Sequence, residues 1–336
     1  MRHHTILLGL LHLGCADDAT GDKGPGGAET GLNVDSGDSA APKIGPQYFA
    51  ELDEDKGRLP DGLALYGDNL FVTMGPTGEI YKLDSRGRAG GYANTPAPGA
   101  GHLGGLAVDI DGNLYAALTT TTEGATSGLY FVAASTKTVS LLAGHPDLQG
   151  ADSVALDSAL RVYLSDPFAG ALYKYSGGSA LTAWSADAAL AGDPAACGSE
   201  EAPRGASGLL VKGSTVYVTH ADRGAVLAVA INTDGTAGAV TEVVAGSCDL
   251  AGLRGITRTI GGRVFAVASR ANRVVELDLE AGTWTEIAAG EPIDEPLSVV
   301  VDEGRDPDRL YFSNAAAATT RAGSPARPGV LAIDDP

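Results

Sequence analysis

One short phrase recurs six times along this 336-residue chain: a start with small or polar residues, an apolar run, a tight turn, then a second apolar run. Its most regular copy is Leu103–Leu118, LGGLAVDIDGNLYAAL. Asp111-Gly112 between two β-prone runs predicts a hairpin closed by a type I′ turn, which needs positive φ at both central residues. The copies start at Leu59, Gly104, Ala151, Ala206, Leu253 and Pro296, 43–55 residues apart. That interval suits the blades of a β-propeller better than the units of a helical solenoid.

Each start leads to a second strand, from Asn69–Met74 in the first copy to Arg309–Asn314 in the last, and then a third, from Glu79–Asp84 to Gly329–Asp334. A fourth strand, such as Val139–Ala143 or Thr283–Ala288, closes the first five copies. These are period-2 or continuously apolar runs punctuated by Gly and Asn, which are strand patterns. Aromatics at 6%, two Met and 47 Gly suit short strands and turns better than packed helices. The sixth copy has only three strands before the sequence given reaches Pro336. Gln47–Asp53, alternating apolar and polar, is the donor for its missing strand, and pairing it there leaves no exposed edge at either end. The expectation is an all-β, six-bladed β-propeller over residues 46–336, its last blade completed by an N-terminal strand.

Ahead of it, Met1–His4 is a short cationic region and Ile6–Leu13 an apolar one too short to cross a bilayer. They end at Leu13-Gly14-Cys15. This resembles a bacterial lipoprotein signal, with His12 where that motif usually carries Leu. The resemblance implies a signal peptide over 1–14, lipidation at Cys15, and an exported protein held at the membrane by its anchor alone. Residues 15–45, rich in Gly, Asp, Ser and Ala with almost no large apolar side chain, read as a flexible spacer. The formal charge of −19 with no basic stripe argues against nucleic acid.

The phrases PDGLAL at Pro60–Leu65, GLAVDIDGNLYAA at Gly105–Ala117 and DSVALDSALRVYLSD at Asp152–Asp166 resemble the SMP-30/gluconolactonase-like and NHL-like six-bladed propellers. In the first of these, the resemblance implies a divalent cation such as calcium, held in the channel by Glu, Asn and Asp at successive strand starts. There it would polarise a lactone carbonyl and acidify water. By position, Asp61 stands for the Glu, Ser207 for an Asn and Arg254 for the Asp. Asp61 and Asp152 are then the only carboxylates offered. A guanidinium ~6 Å from a dication repels it by about 5 kcal/mol at an effective ε of ~20. With no metal, Arg254 is expected to pair with Asp61 or Asp152, or to hold an anionic ligand.

Two readings follow. One is a metal-dependent sugar-lactone hydrolase with a degenerate site. The other, favoured one is a monomeric binding or scaffold propeller presenting its mouth to a small molecule, saccharide or protein. Polar residues at the strand ends that line this mouth include Asp61, Asp152, Asp166, Ser207, His220 and Arg254. A propeller lyase would need a second His beside His220, and only His102, two blades away, is a candidate. No Gly-x-Ser-x-Gly elbow supports nucleophilic hydrolysis. Cys197 and Cys248 each precede a first strand, of blades four and five. Export and placement predict a disulfide, since neither lies in a CxxC motif or beside a His pair.

Overall fold

The second strand of each repeat is buried on both faces, which is why it reads as a continuous apolar run rather than an alternating one. In the computed structural model Val264–Ala268, VFAVA, is buried at all five positions. Val264, Ala266 and Ala268 face the core shared with the preceding blade, and Phe265 and Val267 face the core shared with the next. The structure describes residues 45–178, 180–199, 201–317 and 327–336. The expected signal segment 1–14, Cys15 and all of the expected spacer but Gly45 lie outside the described residues.

Six four-stranded antiparallel sheets form the blades. Their innermost strands are Pro60–Tyr66, His102–Val108, Val154–Leu156, Ala206–Lys212, Leu253–Arg258 and Pro296–Asp302. Blades one to five each run in chain order from inside to outside, and blade six takes Gln47–Glu51 as its outermost strand. That strand pairs antiparallel with Gly329–Asp334, with Gln47 opposite Ala332 and Glu51 opposite Gly329. The expected closure is therefore present. It leaves six apolar cores, one in each gap between neighbouring blades, and the sixth joins Ala50, Tyr311 and Val330 of blade six to Leu63 and Val72 of blade one.

The hairpin in Leu103–Leu118 departs from the expected turn. Gly112 has φ +81° but Asp111 does not take positive φ. Asp109 and Asn113 bracket a three-residue loop, with the Asp109 N–H donating to the Asn113 carbonyl. The Asp109 carboxylate accepts from the N–H groups of Asp111 and Asn113 at 2.9 Å each. That side chain supplies acceptors that a two-residue turn would not need, so the loop takes the longer form ending in one left-handed glycine. Asp157 repeats the arrangement in blade three.

Cys197 and Cys248 are bonded, with Cα atoms 5.4 Å apart. The bridge ties the loop leading into blade four to the loop leading into blade five.

Candidate functional site

The residues that face the axis sit where the innermost strands bulge. Pairing shifts register between Pro60 and Leu63, Leu103 and Leu106, Ala206 and Leu209, Leu253 and Ile256, and Pro296 and Val299. A bulge re-aims side chains out of the sheet's alternation, and here it holds Asp61, Gly104, Ser207, Arg254 and Leu297. Blade three starts its paired strand later, at Val154, and carries Asp152 at the equivalent place. The ring is tight at this level. A Cβ on Gly208 would lie 1.9 Å from the Arg254 carbonyl oxygen, and one on Gly62 would lie 2.6 Å from that of Gly104.

Buried hydroxyls fix this ring. Thr219, on the second strand of blade four, accepts from the N–H of Gly208 and donates to the Arg254 carbonyl, both at 2.7 Å. Thr73, Ser165 and Ser313 do the same in blades one, three and six, donating to the carbonyls of Gly104, Ser207 and Asp61. Each hydroxyl thus holds the axial residue of the next blade by its backbone. Sequence reasoning missed them. Their signal was a Thr or Ser at the same place in four of the six second strands, with Ala117 and Val267 in the other two.

Arg254 points inward. Its Nη2 bonds Asp152 Oδ1 and lies 3.9 Å from Asp61 Oδ2. The Ser207 hydroxyl donates to the other Asp152 oxygen at 2.5 Å, and His102 Nε2 stands 3.7 Å from Asp152. Burial pushes the Asp152 carboxyl up, but Arg254, His102 and Ser207 outweigh it and hold its pKa well below the usual carboxylate range. For Asp61 burial wins over Arg254, and its pKa is raised. Burial lowers the Arg254 pKa, yet Asp152 and Asp61 more than restore it, so the guanidinium stays charged. The space left at the axis is about 30 Å³, room for about one water. A divalent cation does not fit these residues: the carboxylates already face a guanidinium, and no group of three His, Cys, Asp or Glu able to hold a metal occurs among the described residues.

Above the axis lies a larger cavity of about 540 Å³, placed eccentrically over blades three to six. Arg204 and Phe168 line one side, Asp294 and Glu295 another, with Arg254 and Arg270 between them in chain order. Arg270 reaches the carbonyls of Ala221 and Asp222 and lies 3.5 Å from the Asp222 carboxylate. The Arg204 guanidinium stacks 4.9 Å from the Phe168 ring centroid. It meets no hydrogen-bond acceptor or carboxylate among the described residues. Burial first, and Arg254 second, push its pKa down.

Of the six expected mouth residues, four meet at the axis: Asp61, Asp152, Ser207 and Arg254. Asp166 and His220 lie beneath the mouth, fully buried, and hold loops. Asp166 accepts backbone N–H groups from Gln149, Phe168 and Ala169. His220 bonds the Ala191 carbonyl through Nε2 at 2.7 Å and accepts from the Arg223 N–H through Nδ1. With both nitrogens so engaged the ring is the neutral Nε2–H tautomer, and burial lowers its pKa. Phe168 is a lining residue that sequence reasoning did not single out.

No family model and no curated protein matches this chain. Solved structures do. A gluconolactonase from Xanthomonas campestris superposes with a TM-score of 0.62 at 14% identity, covering 86% of this chain and 89% of that one. An auxiliary nutrient binding protein from Bacteroides thetaiotaomicron gives 0.62 at 9%, covering 86% and 76%. Virginiamycin B lyase from Staphylococcus aureus gives 0.55 at 15%, covering 80% and 81%. What these likenesses share with this chain is the fold, here a six-bladed β-propeller. One scaffold thus carries hydrolase, lyase and binding proteins, so function has to be read from the site.

Proposed function

We propose that this protein is a binding propeller that takes a small molecule in the cavity over blades three to six, and not a metal-dependent lactonase. The observation that carries this reading is Arg254 on the channel axis, bonded to Asp152 and beside Asp61. A lactonase of the related kind needs a Lewis acid there, and Arg254 brings a fixed positive charge instead. The mouth cavity lies within the range of small-molecule sites. The nutrient binding protein of the same fold supports the class of function. Purified protein offered a panel of aldonolactones with calcium, zinc or manganese should show no turnover above buffer. Turnover abolished by Asp61→Ala would establish an enzyme instead.

The signal at Met1–Cys15 supports display of this propeller at a bacterial cell envelope through lipidated Cys15. Cys15→Ser should move the protein from the membrane to the soluble fraction; an unchanged distribution would contradict the anchor.

A further inference from the structure

Arginine carries its five N–H donors in the plane of the guanidinium, while an aromatic ring engages only a face. Arg204 on Phe168 is therefore stacked on one face while its in-plane donors meet no acceptor among the described residues. Its main chain is fixed: its N–H donates to Asp222 Oδ2 at 2.8 Å, and its carbonyl accepts from the Asp222 N–H at 3.0 Å. The loop before it is clamped by the Cys197–Cys248 bridge. Arg204 is thus a half-buried cation on a held backbone, next to a second cation and lining a cavity. Glu201 in the same lining, Asp152 and Asp61 act on it only through space, and no anion bonds it among the described residues. Its lowered pKa agrees, because the surroundings disfavour its charge until a counter-charge arrives.

Resting on the reading of the mouth as a binding site, we infer that the ligand carries a carboxylate, held in two-point fashion by Arg204 with its apolar backing on Phe168. The acidic side chains Asp294 and Glu295 line the same cavity from the loop leading into blade six. They favour hydroxyl or ammonium donors on the rest of the ligand and disfavour a second anionic group. The ligand is thus a small monocarboxylate rich in donors. Arg254 is not the anchor, since Asp152 bonds its Nη2 and Asp61 stands 3.9 Å away, so its charge is already countered.

The test uses the full chain with ¹⁵N-labelled arginine and acetate as the probe. Titrated acetate should shift the Arg204 Nε–Hε resonance saturably and leave that of Arg254 in place. The resonance missing from Arg204→Gln assigns Arg204. Acetate binding by the variants is read by isothermal titration calorimetry, where Arg204→Gln should abolish it and Arg204→Lys should keep it with the affinity reduced about tenfold. Sodium chloride at equal ionic strength controls for screening. A linear, unsaturated shift like that of surface arginines would overturn the inference, as would saturation that survives Arg204→Gln. Neither result depends on lactone turnover, so the inference can fail while the binding reading stands. With acetate established, gluconate and glycylglycine distinguish hydroxyl-bearing from ammonium-bearing carboxylates. Each should bind more tightly than acetate if the acidic side contributes. Binding no tighter than acetate for both would remove Asp294 and Glu295 from the proposal.

Discussion

Two arginines fifty positions apart occupy the same funnel and differ in one respect. Arg254 at the axis has its charge countered: Asp152 bonds its Nη2, Asp61 stands 3.9 Å away, and its carbonyl is held by Thr219. The Arg204 guanidinium at the mouth has a ring face, and no acceptor bonds its donors among the described residues. Burial disfavours both charges, yet the Arg254 pKa ends above its ordinary value and that of Arg204 below. A buried charge with its partners in place is a structural part, and one left without them is an invitation to a ligand. The lower region of this channel therefore reads as a plug and the upper one as a site.

The contrast can be broken most forcefully at Arg254. Arg254→Met leaves the Asp152 carboxylate buried with no cation and should cost about 3–5 kcal/mol in urea unfolding at neutral pH. A loss below about 1 kcal/mol would mean that the plug holds nothing. Within the plug, Asp152→Asn should cost about 3 kcal/mol at pH 7, and Asp61→Asn less than about 1. The signs differ because the pKa shifts do. Asp152 is depressed, so its contribution is present above the ordinary carboxylate pKa of about 4 and fades as pH falls through and below it. Asp61 is raised, so its proton is favoured in the fold, and its contribution is lost as pH rises through its folded value. The deficit of Asp152→Asn should shrink in acid, and equal deficits for the two variants at every pH would refute the assignment.

The smallest effect belongs to the mouth. Arg204→Met removes a cation that no carboxylate bonds among the described residues and should change stability by less than about 1 kcal/mol in either direction. A loss as large as that of Arg254→Met would show that Arg204 is structural after all.

Much of the fold was legible in the chain. Its apolar runs, their spacing and the stray strand Gln47–Glu51 encode a ring of six blades, because a strand buried on two faces has to be apolar throughout. The site was legible in part. Asp61, Asp152, Ser207 and Arg254 share a place in the repeat, so they could be put on one ring from sequence. That Arg254 turns inward depends on a bulge, and a bulge is a matter of pairing between strands that no single strand announces. Asp166 and His220 shared the same kind of placement but turned to backbone N–H and carbonyl groups of their own loops. Polar side chains at strand ends serve loops as readily as ligands, and only the loop geometry decides. Arg204 follows a seventeen-residue insertion, Asp187–Pro203, where no repeat fixes its orientation.

The measurement that bears most directly on the account is the divalent-metal content of the purified, metal-replete protein by mass spectrometry, together with its melting temperature with and without EDTA. The plug at Arg254 predicts well under one calcium or zinc per chain and a melting temperature that the chelator leaves unchanged. One tightly held divalent ion per chain, lost with EDTA along with part of the stability, would contradict it and return the channel to metal chemistry.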